Sequence, residues 1–310
     1  MNNKVKGYIL GAVAAASYGM NPLFALPLYS DGMDADSVLF FRYLLAIPIL
    51  GIMLKARGRS FKIEKKQVFP LIIMGFMVAL SSLALFLSYN YMDAGIASTL
   101  LFIYPIIVAL IMTFLYKEKL TFQTIFCLFI ALSGIALMYK SGDGSTLSFI
   151  GTFFAFLSAL SYAIYIVGVN QSSLKEMATL KVTFYVLVFG LFLFVARILY
   201  NGNIVMPSHW YLWVNLFCLA LFPTAISFLC TTSAIQYIGS TPTAILGALE
   251  SVTAIFFGVT VFGEVLTVRE SIGVVMIIAA VTVVIAGGKI TKPLIRFRKM
   301  FPRLPINRSK

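Results

Sequence analysis

Residues 116–121 read YKEKLT and residues 262–267 read FGEVLT. Glu-x-Leu-Thr thus recurs at a spacing of 146 in a chain with only 11 acidic residues. Other identities keep nearly the same register. Tyr91 and Leu100 match Tyr237 and Leu246 at 146, while Gly7, Ala15, Ser17 and Tyr18 match Gly151, Ala159, Ser161 and Tyr162 at 144. These identities are sparse, and their weight lies in what they bracket. Apolar stretches of about 20 residues follow one another along the whole chain, each long enough to cross ~30 Å of hydrocarbon. Polar breaks divide them into ten spans, near 7–28, 37–54, 68–90, 94–116, 121–140, 148–169, 179–200, 210–235, 241–262 and 267–288. Ten spans fall into two sets of five at one shift. Five is odd, so the second set enters the membrane from the opposite side, the inverted plan of many secondary transporters. The expected fold is an all-α membrane protein of ten transmembrane helices in two inverted five-helix repeats. Residues 1–144 form the first repeat, 145–288 the second, and 289–310 a basic tail.

Composition agrees. The chain of 310 residues is 60% hydrophobic, and its mean hydropathy is +0.96. Spans in lipid must satisfy their own backbone hydrogen bonds, and no alternating barrel-strand pattern is present, so helices are expected. The net charge of +13 invites a nucleic-acid reading, which its placement opposes. With an even number of spans both termini share one side. Taking that side as cytoplasmic puts 20 of the 24 Lys and Arg inside, among them the run Lys55–Lys66 and the tail from Lys289. The outer loops then hold Asp31, Asp34, Asp36, Asp93, Asp143, Glu264 and Glu270. This is the positive-inside pattern. A cell-membrane protein with both termini cytoplasmic follows, its tail touching anionic lipid. The expected partners are a small-molecule substrate and the bilayer, with no nucleic acid, and a monomer or weak homodimer. Lys4 and Lys6 before AVAAAS faintly resemble a cleavable signal, but the apolar run continues to Tyr29, too long for one. Cys218 and Cys230 lie in one span ~18 Å apart, beyond disulfide reach.

The repeated motif reads as a joint. In each copy Glu closes a repeat's fourth helix and Thr starts its fifth, and Thr is a preferred N-cap. Thr267-x-x-Glu270 also has capping-box spacing. The inverted topology sets Glu118 inside and Glu264 outside, so they cannot form one acid pair. Both are expected to be scaffold, outside the cavity.

Glu250 is different, because it is the acidic residue deep in a span. A charge at the membrane centre costs on the order of 3 kcal/mol on insertion scales, so such a carboxylate usually faces a cavity and works there. Thr243, Gly247, Glu250 and Ala254 share one helix face of small neighbours, either a pocket wall or a close-packing seam. Arg42 lies about six residues below the outer end of span two. It can compensate Glu250, bind a substrate carboxylate or snorkel. Arg197, three residues from the end of span seven, is expected to snorkel. Spans one, three, four, six, eight and nine supply Ser17, Tyr18, Asn21, Tyr89, Asn90, Tyr104, Ser161, Tyr162, Tyr165, Thr231, Thr232, Ser233 and Gln236. Of these, Tyr18, Asn21, Tyr89, Asn90, Tyr104, Tyr162, Tyr165 and Thr232 join Glu250 and Arg42 as the candidate substrate-binding or coupling set. Pro22, Pro105 and Pro223 interrupt backbone bonding inside spans, as gating bends or as static kinks.

The chain resembles the drug/metabolite transporter superfamily, in its EamA-type branch. The resemblance rests on AAASYGMNPLF (14–24), FFRYLLAIPIL (40–50), residues 102–138 from FIYPIIVAL to SGIALM, LSALSYAIYIVG (157–168) and residues 249–285 from LESVTAIFF to VTVVI. It implies a transporter whose substrate path runs between the helices named above, and it tends toward export. It also inclines Arg42 toward structural compensation. The family often carries Glu-Pro in the ninth span. Here Ser251 follows Glu250, so proline does not secure a kink there.

Enzyme signals are missing: no nucleophile motif, metal set or phosphate loop is present, and the single His209 is at an outer loop. No catalytic residue, metal or cofactor is expected. The leading reading is a secondary transporter of small zwitterionic or cationic metabolites such as amino acids or amines. The alternatives are a nucleotide-sugar or sugar-phosphate exchanger, for which deep cations are too few, and a non-transport membrane protein.

Overall fold

The computed structural model describes residues 3–88, 91, 100–138, 148–262 and 268–300. The chain forms α1 (Asn3–Tyr18), α2 (Asn21–Ser30), α3 (Ala35–Ala56), α4 (Lys65–Ser88), α5 (Tyr104–Phe114), α6 (Phe122–Met138) and α7 (Phe149–Gln171). A short 3-10 turn, Ser173–Glu176, leads to α8 (Thr179–Asn201) and α9 (Trp210–Leu219). The π segment Ala220–Ile226 joins α9 to α10 (Ser227–Ile238), followed by α11 (Ser240–Leu246), α12 (Leu249–Phe262) and α13 (Val268–Met300). No strand occurs among the described residues.

Each apolar run of the sequence carries helix. Among the described residues, seven continuous or bent helices are long and apolar enough to cross a bilayer, including Asn3–Ser30, Trp210–Ile238 and Ser240–Val261. Three further apolar helices are shorter: Tyr104–Phe114, Phe122–Leu137 and Ser271–Ile285. Large apolar side chains such as Phe114, Phe122, Phe129, Phe149, Leu199 and Trp210 face outward. A soluble protein avoids such a surface and a lipid-facing one requires it.

The starts of these helices are written locally. Asp34 accepts a bond from Ser37 N at 3.3 Å to open α3, and Ser148 does the same for Gly151 N at the head of α7. Thr121 Oγ1 accepts from Thr124 N at 3.1 Å, the N-cap expected of the Glu-x-Leu-Thr joint. Its counterpart at Thr267, with Glu264, lies outside the described residues.

Packing repeats at the spacing seen in the sequence. α1 packs against α10 as α4 packs against α7, α3 lies along α8, and α6 along α13. One hydrogen-bonded pair of positions recurs at the same register, with donor and acceptor exchanged between the halves. Ser227 Oγ of α10 donates to Ala14 O of α1 at 2.9 Å, and Ser158 Oγ of α7 donates to Ser81 O of α4 at 2.7 Å. Ser81 lies 146 residues before Ser227, and Ala14 lies 144 before Ser158.

Loops gather at two opposite ends. At one, Lys181 Nζ reaches Lys62 O at 2.9 Å, Ser173 Oγ reaches Lys66 O at 3.2 Å and Tyr185 Oη reaches Phe61 O at 2.6 Å. At the other, Ser208 N donates to Asp31 Oδ2 and Val205 N to Ser37 Oγ, each at 2.9 Å. The lysine-rich loops at residues 57–66 and 173–181 therefore share one end, and Asp31, Asp34 and Asp36 lie at the other. Arg197 corrects an expectation here. Rather than snorkelling, it makes two bonds to Asp36, at 2.8 and 2.9 Å, and Asn201 adds a third at 2.8 Å. A carboxylate from the start of α3 meets a guanidinium from the end of α8, and a planar fork matches it two-point.

Candidate functional site

Two helices break in the middle of the bundle, and the breaks are equivalent. Gly247 and Ala248 separate α11 from α12, and Glu250 N then makes the tighter three-residue bond, donating to Gly247 O at 2.9 Å. Phe102 and Ile103 form a turn just before α5, with Ile103 N on Leu100 O at 3.1 Å. In the 146-residue register Tyr104 corresponds to Glu250, each just past its break. The ninth span is thus interrupted without proline, and Gly247 at the break leaves room for the Tyr104 hydroxyl. A third interruption, at Gly19 and Met20, separates α1 from α2 just before Asn21 and Pro22. A Cβ on Gly19 would lie 2.5 Å from Glu250 O, so the two breaks meet backbone to backbone.

These interruptions surround a small cavity of about 20 Å³, room for roughly one water molecule. Glu250, Tyr18, Tyr104 and Tyr162 line it, with Thr231, Thr243 and Ser227 as further hydroxyl bearers and Gly11, Ala14, Ala15 and Gly247 as its small-residue floor. The rings form an unbroken arc. Tyr104 meets Tyr162 edge-on at 4.9 Å, Tyr162 stacks on Tyr165 at 6.0 Å, Tyr165 meets Phe228 at 6.1 Å, and Phe228 meets Tyr18 at 6.3 Å. Tyr104 Oη donates to Ala244 O at 3.1 Å, tying α5 to the end of α11.

Arg42 stands beside this arc, 2% exposed. Its Cζ lies 5.4 Å from the centre of the Tyr18 ring. Nε donates to Thr224 Oγ1 at 2.5 Å and Nη2 to Pro223 O at 3.2 Å. The reason is local. Pro223 has no N–H for Leu219 O, so Thr224 Oγ1 donates to that carbonyl instead, at 2.9 Å. Arg42 then closes the chain by bonding Thr224 and Pro223 together. It does not snorkel. Arg42 and Glu250 are within electrostatic reach of each other, and Tyr18 and Asn21 belong to the same cluster.

The other predicted residues fall into a second ring or outside. Tyr165 and Thr232 are fully buried behind the cavity wall, their hydroxyls 3.2 Å apart, with Thr183 Oγ1 3.3 Å from Thr232. They brace the wall without lining it. Tyr89 and Asn90 lie outside the described residues. Thr243, Gly247 and Glu250 do share a cavity-facing side, as their spacing suggested. Ser227 and Gly11 were not singled out in the sequence; the 146-residue register, extended to Ser81 and Ser227, is the signal that could have found one of them.

Two larger cavities open at the lysine-rich end, and Glu118 lines both. One, about 240 Å³, lies between the α5–α6 joint and α11, against Lys119, Cys127 and Thr241. The Thr241 hydroxyl is buried there without a hydrogen-bond partner. The other, about 530 Å³, is lined by Tyr116, Asn170, Gln171, Lys175, Gln236 and Tyr237 among others. Glu118 therefore lies outside the central cavity, as expected, but it is more than a joint: it sits at the mouth of the bundle.

Comparison with known proteins gives this geometry its setting. The EamA-like transporter family pattern matches residues 5–140 and again residues 149–286. An uncharacterized transporter of Archaeoglobus fulgidus is 28% identical over 253 residues, covering 81% of this chain and 87% of its own. The uncharacterized transporter YxxF of Bacillus subtilis is 25% identical over 272 residues, covering 83% and 84%. A protein crystal structure shares the fold with a TM-score of 0.76 at 15% identity, over 90% of this chain and 96% of its own. Matched twice along nearly its whole length and built of helices apolar enough to cross a bilayer, this multi-pass membrane protein belongs to the EamA-like transporter family.

Proposed function

We propose that the protein is a secondary transporter that moves a small zwitterionic or cationic metabolite, such as an amino acid or amine, by alternating access. Ten crossings in two inverted repeats of five, with both termini cytoplasmic, are the framework. The recurring serine bonds and paired helix breaks support the repeats. The gathering of lysine-rich loops at one end supports the topology. Discontinuous helices near the midplane are where inverted-repeat transporters hold their cargo. The resemblance favours export as the direction.

The observation that carries the substrate class is Glu250 facing a cavity walled by tyrosines at the α11–α12 break. The carboxylate attracts an ammonium group, and aromatic faces add cation–π attraction that strengthens when water is excluded. Thr231, Thr243 and Ser227 offer hydroxyls to the rest of the molecule. Sugar phosphates are disfavoured. Arg42 is the deep cation, and its guanidinium is already engaged by Thr224 and Pro223. The volume of about 20 Å³ is too small for any such solute, so loading requires the helices to part.

The test is flux of an amino-acid and amine panel into proteoliposomes, with and without a pH gradient, for wild type and Glu250→Gln. If Glu250 carries protons, the variant loses gradient-driven accumulation and keeps exchange. If it binds substrate, both are lost. Unchanged kinetics in the variant would remove Glu250 from the mechanism.

A further inference from the structure

The largest of the three cavities described above is unexplained by a role for the central site alone. It lies directly beneath that site. Ile166 and Asn170, Thr231 and Ile235, and Thr243 and Gly239 each pair a central-cavity residue with a residue of the 530 Å³ vestibule. The members of each pair are four residues apart, about 6 Å of helix rise. The layer between is thin. Ser240 Oγ donates to Ile166 O at 3.2 Å across it, and Ile166 and Ile235 fill it.

The vestibule walls hold polar groups that the fold does not use. Asn170 is 6% exposed, lines the vestibule, and its side chain has no hydrogen bond among the described residues. Among the described residues the only partner of Gln171 Nε2 is Met112 Sδ at 3.7 Å, a weak acceptor. Glu118 and Lys175 form no salt bridge among the described residues, so an acid and a base both stand open at the rim. The rim turn is a helix C-cap: Lys117, immediately before Glu118, has φ 56°, the left-handed conformation with which many helices end. The turn lets Glu118 N reach Met112 O at 3.0 Å and sets its side chain at the cavity mouth.

We propose that this vestibule is a loading site for a zwitterionic solute, which docks there before entering the central cavity. The ammonium end faces Glu118, the carboxylate end faces Lys175, and the carboxamides of Asn170 and Gln171 supply hydrogen bonds between them. The proposal rests on the transport reading above and makes Glu118 a working residue as well as a joint.

The experiment uses purified protein in proteoliposomes whose orientation is fixed, with a tritiated mixture of neutral amino acids as the zwitterionic probe and tritiated choline as a carboxylate-free one. Flux is measured from each side for wild type, Glu118→Gln, Lys175→Gln and Glu250→Gln. Lys175 is on an exposed turn, so its variant keeps the test alive if Glu118→Gln folds poorly. Expected from the vestibule side is a KM for amino acids raised roughly fivefold by either rim variant, the upper range for a partly exposed charge contact, with kcat kept. Choline should respond to Glu118→Gln and ignore Lys175→Gln, and KM from the opposite side should not move. If both rim variants leave amino-acid KM unchanged while Glu250→Gln abolishes flux, the vestibule is only an opening and the central reading stands. If wild type moves neither probe from either side, the transport reading and the loading site fall together.

Discussion

At the scale of single residues, the sequence exposes what is costly in lipid. Glu250 was legible because an acid that deep must have company, and the structure surrounds it with a cavity and three tyrosines. Partners were not legible. Arg197 and Asp36 lie 161 positions apart, and nothing in either neighbourhood says that the end of α8 meets the start of α3. Arg42 was open in three directions, and its bonds to Thr224 and Pro223 select a structural hold beside Tyr18. Lysine has one point charge where arginine has a planar fork. Arg42→Lys should therefore lose the bridge between Thr224 and Pro223 and destabilise the detergent-purified protein by about 2 kcal/mol, the range for buried charge-assisted bonds. A thermal melt at fixed detergent reads this. An unshifted midpoint would mean that the π segment holds itself.

At the scale of elements, helix positions followed from apolar runs, while interruptions followed from proline only in part. Pro223 sits inside the π segment, and Pro105 and Pro22 follow breaks. The break before Glu250 has no proline. Sequence reasoning tied a bend there to proline, whereas the structure interrupts the helix at Gly247–Ala248, where the missing Cβ admits the Tyr104 ring. A Cβ built on Gly247 collides with the Tyr104 hydroxyl, so Gly247→Ala forces apart the α5–α11 contact that Tyr104 makes with Ala244 O. Gly247→Ala should fold, because alanine is a good helix former, yet lose at least tenfold in transport rate. Pairing it with Tyr104→Phe, which removes the hydroxyl, should recover part of that loss. Equal rates for wild type and Gly247→Ala would show that the break is not tuned by this contact.

At the scale of the whole molecule, the doubling was readable from spacing before any contact was known, because a register shared by helix joints and span centres has few other causes. The pairing of helices was not readable, since it requires knowing which faces meet. The expected topology is tested by tags: those at the N-terminus, near Lys62 and at Lys310 should report the cytoplasm, and one at Ser145 the far side. A cytoplasmic report from Ser145 would undo the inverted arrangement and both sided predictions with it. The two halves also differ where they should matter most. Tyr104 and Glu250 occupy equivalent places, so duplication has left a neutral phenol in one half and an acid in the other, with Arg42 as the cation within its electrostatic reach. When Glu250 is ionised, the closed core of the empty carrier is therefore neutral overall. A captive with both signs of charge leaves that sum at zero, while a simple amine leaves one positive charge in excess, and an uncompensated ion in such surroundings costs several kcal/mol. On the proposed transport reading, electroneutrality at the instant of closure slows a lone cation such as choline relative to a zwitterion without barring it.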